Sequence, residues 1–424
     1  MTQTTQEGLE QIAKELRPLA RPLESLREDP KNARVHGEEN VRAIEASLRA
    51  HGQRKPIVVK EGYVLAGNGT LRAARRLGWE SLACVEYEGP LVLARAFAIA
   101  DNRSAEQATW DPEVLALALE EADAQGLLEA TAWGREEADE LLGQALAEAA
   151  GEAEDPGPEE PSLEPVSKPG ELYLLGPHRL LCGDATNKED VARLMEGKKA
   201  ALCATDPPYV CDYTGVRHEG AGKDWSKLYQ EIPSEDAESF FRAVFANVLL
   251  ATREDAAIYC WHAHKRQALI SKVWAELGIL DHQQIVWVKP KASNGFSFWP
   301  YRHEPCLMGW RKGNKPEHDG ENSHEVTSVW EIDWDGKKGP PRDAEHPTQK
   351  PLEIFGIPIR KHTKPGEVVF EPFLGSGSQL VAAAKEGRRC FGLEISPAFC
   401  DAIRRRFTKF ARSSGGDPGS GALS

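Results

Sequence analysis

Residues 368–396 have the sequence VVFEPFLGSGSQLVAAAKEGRRCFGLEIS, which indicates the fold class of the chain more clearly than any other segment. An apolar run, Val368 to Phe370, predicts a strand that leads through a loop of small residues into a helix. A second apolar run follows from Arg389 to Leu393, and Glu394 stands at its end, 19 residues after Gly375. An acidic residue at that place can accept hydrogen bonds from both ribose hydroxyls of a nucleoside cofactor. The stretch therefore predicts a nucleoside-binding unit of strand, loop, helix and strand.

The loop itself, FLGSGS at residues 373–378, indicates which kind of nucleoside it would hold. Its small side chains let the backbone approach a ligand closely. A dinucleotide fingerprint has a third glycine, but Leu380 occupies that position here. This pattern disfavours a cofactor with a pyrophosphate and favours an adenosyl cofactor without phosphates. A glycine turn that binds nothing is the alternative for this loop taken alone.

Apolar and helical segments alternate through the second half of the chain. The apolar runs are residues 200–204, 256–260, 284–288, 367–370 and 389–393, and the helical segments are residues 238–250, 268–277, 379–385 and 398–410. Such alternation predicts an α/β fold, in which a mostly parallel sheet carries helices on both faces.

A second segment with chemistry is LCATDPPYV, Leu202 to Val210, an apolar strand that ends in Asp206. The two prolines that follow have fixed φ angles and no backbone N–H, so they predict a stiff strand end. The Asp206 carboxylate and the Pro207 carbonyl are both acceptors, and together they could hold the two hydrogens of an amino group. Tyr209 could stack on the ring that bears it. The alternative is a proline turn that only ends a strand.

The net charge of −14 seems to exclude a nucleic-acid partner until the charges are located. Residues 104–165 hold 18 acidic residues against the single Arg135, so the rest of the 424-residue chain has a net charge of +3. Residues 284–315 have a net charge of +5 with six interleaved aromatic residues. Cations and aromatic rings together suit phosphate contact and base stacking, although buried aromatic residues under a solvated loop would give the same pattern.

TDPPY together with EPFLGSGS resembles the amino-group DNA methyltransferases, and the resemblance covers residues 170–412. Further matching segments are GELYLLGPHRLLCGDAT (170–186), IVWVKP (285–290), RHEP (302–305) and HPTQKP (346–351). The catalytic segment precedes the cofactor loop, as in the permuted group called β. The resemblance implies a Rossmann-like sheet that binds S-adenosylmethionine (AdoMet), with target recognition within residues 210–343. Glu371 stands where aspartate is commoner, and Gln379 stands where threonine is frequent.

The resemblance also implies site residues. The implied catalytic residues are Asp206, Pro207, Pro208 and Tyr209. The implied cofactor contacts are Asp184, Thr348, Lys350, Phe373, Gly375, Ser376, Gly377, Ser378 and Glu394. We expect DNA contacts from Lys289, Lys291, Arg302, Arg311 and Lys312.

The expected reaction is site-specific methylation of an adenine N6 amine that has been flipped out of the duplex, in a restriction-linked or an orphan role. Cytosine N4 is the close alternative, because cytosine enzymes more often have serine in place of Asp206. Methylation of RNA or of a protein amide, and a non-catalytic DNA-binding regulatory factor, are further alternatives.

The first half of the chain resembles the ParB N-terminal (sulfiredoxin-like) domain over residues 18–102. The turn AGNGTLRAARR matches the family's glycine turn, and Gly67, Asn68, Gly69 and Arg72 are the implied nucleotide or DNA contacts. The family's Glu-Arg-Arg is absent, so CTP hydrolysis is not expected, and a purely structural turn is the alternative. Acidic helices are predicted at residues 103–146, a flexible linker at 147–169 and a disordered tail at 413–424.

Composition narrows the remaining classes. No apolar run approaches the roughly 20 residues that cross a bilayer, and the eight cysteines form no C-x-x-C pair. We therefore expect a cytoplasmic protein of a bacterium or phage, without a disulfide framework or a membrane segment. Cys260, His262 and His264 would share one strand face, but no fourth ligand is spaced to join them, so no metal is expected. DNA is the expected partner, and a homodimer is left open.

Overall fold

The computed structural model describes residues 9–150, 153–210, 232–290, 298–317, 326–332, 350–413, 415–416 and 418–423. The chain divides into an N-terminal unit, Met1–Asp139, and a C-terminal unit, Glu140–Ser424. Thr348 and Lys291 lie outside the described residues, as does a large part of the predicted target-recognition range.

The N-terminal unit is built on a five-stranded sheet with the order β1-β5-β3-β4-β2. Its strands are β1 (Ala20–Pro22), β2 (Arg27–Glu28), β3 (Ile57–Lys60), β4 (Tyr63–Ala66) and β5 (Ser81–Glu86), and its helices are α1 (Glu38–His51), α2 (Asn68–Arg76), α3 (Leu91–Gln107) and α4 (Pro112–Ala124). In α1, Val41 and Leu48 face the core at helical spacing, and the helix ends where Gly52 adopts a φ of +67°. Strands β3 and β4 pair antiparallel as a hairpin.

The C-terminal unit holds a nine-stranded sheet in its described part, with the order β12-β10-β11-β9-β8-β13-β14-β7-β6. The strands are β6 (Leu172–Leu175), β7 (His178–Cys182), β8 (Ala200–Thr205), β9 (Thr252–Trp261), β10 (Ile279–Val288), β11 (His303–Arg311), β12 (Val329–Glu331), β13 (Val368–Glu371) and β14 (Arg389–Glu394). The five predicted apolar runs are β8, β9, β10, β13 and β14. The central strands β9, β8, β13, β14 and β7 pair in parallel, as predicted.

Helices cover both faces of this sheet. They are α6 (Lys188–Met195), α7 (Ala237–Ala251), α8 (Gln267–Glu276), α9 (Glu353–His362), α10 (Ser378–Lys385) and α11 (Pro397–Ser413). One core cluster joins the sheet to α9, α10 and α11, and a second joins it to α6, α7 and α8. Because both faces are covered, β8, β13 and β14 are buried along their whole length and appear in the sequence as continuous apolar runs.

The segments predicted as a flexible linker and a disordered tail both contact α11. Helix α5 (Arg135–Ala150) extends into the predicted linker. Beyond it, the backbone N–H groups of Val166 and Ser167 donate to the Asp401 carboxylate at 2.7 and 2.9 Å. In the tail, Gly421 accepts from Arg404 Nε at 2.7 Å. Composition suggested solvated chain because these segments bury few apolar groups, but they are held instead by polar side chains that α11 presents.

Two absences concern the described residues only. None of the helices they form is long and apolar enough to span a bilayer. They also contain no cluster of three histidine, cysteine, aspartate or glutamate side chains arranged to hold a metal ion.

Candidate active site

Asp206 lies at the carboxyl end of β8, in the middle of the sheet between β9 and β13. Pro207 is buried and Pro208 is exposed. Val210 ends the segment with a φ of +46°, which a β-branched residue rarely adopts. Arg266 Nε donates to the Val210 carbonyl oxygen at 2.9 Å. Residues 206–210 are therefore a stiff strand end, which Arg266 holds in place at Val210.

The glycine loop lies at the carboxyl end of the neighbouring strand β13 and leads into α10. Gly375 and Gly377 have φ values of +51° and +81°, in the left-handed region that favours glycine. Glu394, at the end of β14, accepts from the N–H of Gly375 and of Ser396, each at 2.9 Å. Burial raises the pKa of the Glu394 carboxyl to about 7. The loop and the acidic residue that the sequence paired are thus in direct contact.

Glu371 connects the two segments. Its Oε1 accepts from the Thr205 hydroxyl at 2.6 Å and from the N–H of Phe373 at 2.9 Å. The side chain is 1% exposed, and burial raises its pKa well above the usual value. Glu371 therefore joins the residue before Asp206 to the first residue of the glycine loop, which fixes the spacing between the two segments.

A cluster of charged side chains surrounds Asp206, and we call it the carboxylate–lysine cluster. Lys350 Nζ lies 2.9 Å from Asp206 Oδ2 and 2.7 Å from Glu304 Oε2. It donates to the Tyr209 hydroxyl at 3.1 Å, and that hydroxyl donates to Glu304 Oε2 at 2.9 Å. Lys289 pairs with the other oxygen of Glu304. Asp206 Oδ1 is buried and has no hydrogen-bond partner among the described residues.

Burial and charge act against each other in this cluster. Burial raises the pKa of Asp206, and the Lys350 ammonium opposes that shift. Burial also works to raise the pKa of Glu304, but Lys350 and Lys289 outweigh it and lower the pKa to about 2. Burial works to lower the pKa of Lys350, yet Asp206, Tyr209 and Glu304 hold it well above its usual value. Glu304 and Lys350 are therefore both charged at neutral pH.

Arg406, on α11, holds the glycine loop from behind. Its side chain is 1% exposed, and its Nη1 donates to the Ser376 carbonyl oxygen at 2.6 Å. Its Nε and Nη2 donate to the two oxygens of Asp155 at 3.0 and 2.6 Å. A residue from the predicted linker thus orients the guanidinium group that contacts the loop.

Residues 200–405 match the family model described as DNA methylase. The matched range contains the Asp206 segment, Lys350, the glycine loop and Glu394. This part of the chain is a DNA methylase domain. This domain is accordingly a DNA methyltransferase domain of the amino-group class, which uses AdoMet as methyl donor, and its sheet with helices on both faces is the predicted α/β fold.

The chain is similar to individual known proteins. The chain is 25% identical over 235 residues to the YubD protein of Escherichia coli (strain K12), an alignment that covers 55% of this chain and 92% of that protein. It is 23% identical over 228 residues to the type II methyltransferase M2.LlaDCHI of Lactococcus lactis subsp. cremoris, covering 49% of this chain and 81% of the relative. Among solved structures, an M1.HpyAVI–SAM complex matches with a TM-score of 0.39 and 19% identity, covering 53% of this chain and 97% of that chain.

The residues at the sheet edge fit AdoMet. Each Glu394 oxygen accepts one backbone N–H, and a carboxylate oxygen has a second lone pair that could accept a ribose hydroxyl. Asp184 follows the end of β7, beside β14, and its Oδ1 accepts from the N–H and the hydroxyl of Thr186, both at 2.8 Å. The predicted cofactor contacts therefore lie along one sheet edge, apart from Thr348, which the structure does not describe.

The predicted DNA contacts divide between two opposite edges of the sheet. Lys289 follows β10 and Arg302 precedes β11, and both lie at the edge that carries Asp206. Strand β11 then runs antiparallel to β9, so Arg311 and Lys312 lie about 27 Å away at about 3.4 Å per residue. The sequence predicts DNA contacts from all of these residues, but Arg311 and Lys312 lie at the edge away from the active site, because a charge count does not reveal that the strand reverses direction. Their contact with DNA stays a prediction.

The aromatic residues of the same stretch also divide. Trp287 and Trp310 are 2% and 7% exposed and belong to the core. Phe298 and Trp299 are 94% and 79% exposed, in the connection between β10 and β11 at the active-site edge. Among the described aromatic residues of this stretch, Phe298, Trp299 and the 37% exposed Tyr301 are placed to meet a large ligand. The sixth aromatic residue, Phe296, lies outside the described residues.

The N-terminal turn has a structural explanation for three of its four predicted contact residues, Gly67, Gly69 and Arg72. Gly67 adopts a φ of +105°, and a Cβ there would lie 2.4 Å from Ile57 Cγ2. A Cβ on Gly69 would lie 2.7 Å from a side-chain carbon of the core. Asn68 is 2% exposed. Arg72 Nη2 pairs with Glu28 at 2.6 Å. The ParB-like nucleotide or DNA site thus stays a prediction.

Sequence reasoning missed the roles of Glu304, Arg406 and Asp155. Glu304 stands in the RHEP segment that matched the family, so a signal for its importance existed, but nothing local indicated its contact with Lys350. Arg406 is one of three consecutive arginines on α11, of which Arg404 and Arg406 are buried, and the sequence does not show which of them contacts the glycine loop. Asp155 lies in a stretch whose composition predicted solvent exposure.

Proposed function

We propose that the enzyme methylates the N6 amine of adenine at a specific DNA site. The observation that carries the proposal is the position of Asp206, whose Oδ1 is unpartnered in the described structure and lies beside the strand end that bears the glycine loop. An oxygen in this position suits an amino-group hydrogen. The target base must leave the duplex stack to reach it, at a cost of a few kcal/mol.

The residues of this chain would act on the amine as follows. The lone pair of an aromatic amine is delocalised into the ring, so the amine is a poor nucleophile. Asp206 and the Pro207 carbonyl accept its two N–H bonds, favour the pyramidal form and orient the lone pair. Tyr209 stacks on the base, and its hydroxyl is held by Lys350 and Glu304.

The bound cofactor supplies an electrophilic methyl group on a sulfonium centre. The amine nitrogen forms the new bond to carbon as the bond to sulfur breaks, and S-adenosylhomocysteine leaves. The methylated nitrogen then carries one proton too many, and the Asp206 carboxylate is placed to accept it. No covalent intermediate with the enzyme is required.

The test is to incubate the protein with unmethylated duplex DNA and tritiated AdoMet, then to digest the DNA and identify the labelled nucleoside. Label in N6-methyladenine supports the proposal. Label in N4-methylcytosine would show that the target base is cytosine, the alternative. Asp206→Ala should abolish transfer while AdoMet binding persists. Asp281→Ala, which changes an exposed acid on β10, is the matched control and should keep full activity. Label that appears in RNA or protein but not in DNA would refute a DNA substrate.

We further propose that the N-terminal unit is an accessory DNA-contact or protein-contact module, and that the reaction takes place in the cytoplasm of a bacterial host. The resemblance of residues 18–102 to ParB domains supports the first part. Deleting residues 1–139 should weaken DNA binding or change site choice, and unchanged DNA binding and site choice would argue against a DNA-contact module.

A further inference from the structure

The carboxylate–lysine cluster contains a residue whose expected role does not fit its position. Lys350 was expected to contact the cofactor, yet its side chain is 6% exposed and its Nζ lies among Asp206, Glu304 and Tyr209. Only its backbone carbonyl reaches the cofactor side, where it accepts from the Ser378 hydroxyl at 3.2 Å. The side chain therefore acts on the catalytic segment, and the backbone ties it to the start of α10.

The two oxygens of Asp206 have different surroundings. Oδ2 is paired with Lys350, whereas Oδ1 has no hydrogen-bond partner in the described part of the chain. The ion pair on Oδ2 restricts rotation of the carboxylate. Oδ1 therefore stays in place and available for a ligand. Lys350 is held in turn by Glu304, and Glu304 by Lys289 on the neighbouring strand.

Charge balance decides whether Asp206 can act as an acceptor. The cluster has two carboxylates and two ammonium groups, so it is neutral when all four are ionised. Removal of the Lys350 charge would leave two carboxylates with one ammonium in a buried site, and such a pair takes up a proton. A protonated Asp206 would offer a hydroxyl donor to an amine that needs an acceptor.

We propose that Lys350 and Glu304 are positioning residues, which hold Asp206 as an ionised acceptor with Oδ1 turned towards the target amine. The proposal rests on the proposed function, because it assigns Asp206 to the amine. It replaces the expectation that the Lys350 side chain binds AdoMet.

The first experiment measures the protonation state directly and needs no activity. Infrared difference spectra of Lys350→Met, with Lys350→Met/Asp206→Asn as reference, should show the carbonyl stretch of a protonated carboxylic acid at neutral pH. The wild-type protein minus Asp206→Asn should not show it, and Lys350→Arg should suppress it again. The groups that face Asp206 and could share the proton are Tyr209, Cys260, Glu304, Cys306 and Glu371. Absence of the band in Lys350→Met would overturn the proposal.

The second experiment follows single-turnover methylation against pH at saturating AdoMet and DNA. For Lys350→Met, the rate should fall about tenfold for each unit by which the apparent pKa rises above the assay pH, and it should recover at higher pH. Glu304→Gln should keep the wild-type pH midpoint but lower the plateau, since Lys350 loses its anchor. Lys272→Met, which removes another glutamate-paired lysine on the surface of α8, is the control and should leave the profile unchanged.

Calorimetric titration with AdoMet distinguishes the two roles of Lys350. The dissociation constant of Lys350→Met should remain near the wild-type value. A weakened AdoMet affinity with an unchanged pH profile would assign Lys350 to the cofactor and refute the positioning role. If DNA is not the acceptor, the proposed function fails on its own, while the infrared result still decides the state of Asp206.

Discussion

Replacing Asp155 by asparagine tests whether the predicted linker, residues 147–169, holds the glycine loop. The substitution removes the negative charge that Arg406 contacts through two hydrogen bonds, at 3.0 and 2.6 Å. The guanidinium group then stays buried beside a neutral amide, whose single oxygen is a weaker acceptor. Arg406 is 1% exposed and Asp155 is 21% exposed. Breaking a buried ion pair costs about 3–5 kcal/mol, and the partial exposure of Asp155 reduces this to about 2–3 kcal/mol. We expect the free energy of unfolding to fall by that amount.

The same substitution should weaken AdoMet binding. Arg406 Nη1 donates to the Ser376 carbonyl at 2.6 Å, and this contact loses its orientation when Asp155 no longer fixes the guanidinium. Loss of about one such hydrogen bond, ~1 kcal/mol, corresponds to a roughly fivefold higher dissociation constant. Urea unfolding and calorimetric titration with AdoMet measure the two effects separately.

Glu159→Gln provides the matched control, since Glu159 lies in the same segment and pairs with Lys409 on the same helix. Lys409 is 58% exposed, so this pair should contribute less than about 1 kcal/mol and should not affect AdoMet binding. Equal stability of Asp155→Asn and Glu159→Gln would show that the segment is solvated, as its composition suggested. A stability loss without any change in AdoMet affinity would refute the link from Arg406 to the loop.

Three further predictions concern the cofactor, the fold and DNA. AdoMet affinity should rise as pH increases through about 7, since the ionised Glu394 accepts hydroxyl hydrogen bonds more strongly; titrations of Glu394→Gln should show weaker and pH-independent binding. Burial lowers the pKa of His178, whose Nδ1 accepts from the Cys390 N–H, to about 3. Its stabilising contribution is therefore present above its usual pKa and lost below it, at about 1.4 kcal/mol per pH unit between about pH 6.5 and 3; urea unfolding of His178→Gln should lack this slope. Arg302→Gln should lower the salt dependence of DNA binding by about one unit, whereas Lys312→Gln at the opposite edge should not; equal effects in fluorescence anisotropy would contradict the assigned DNA face.

The central strands and their helices could be predicted from sequence because each buries its own side chains locally. Residues 200–204 and 389–393 are continuous apolar runs, and a strand covered on both faces has no other pattern. The loop at residues 373–378 could be predicted as well, because the left-handed φ values that it requires favour glycine, which is visible in the sequence. The sequence indicated the outer strand β11 only through the RHEP segment at residues 302–305. The direction of this strand determines which lysines and arginines lie beside Asp206.

The α/β architecture and the two segments that carry the chemistry, Asp206 to Tyr209 and Phe373 to Ser378, could be predicted from the amino-acid sequence. This was possible because backbone conformation and burial follow from neighbouring residues. Only the tertiary structure decided that Lys350 and Glu304 meet Asp206 and that Asp155 holds Arg406. These are contacts between charged side chains far apart in the chain, and a charged residue carries no local sign of which partner will compensate its burial.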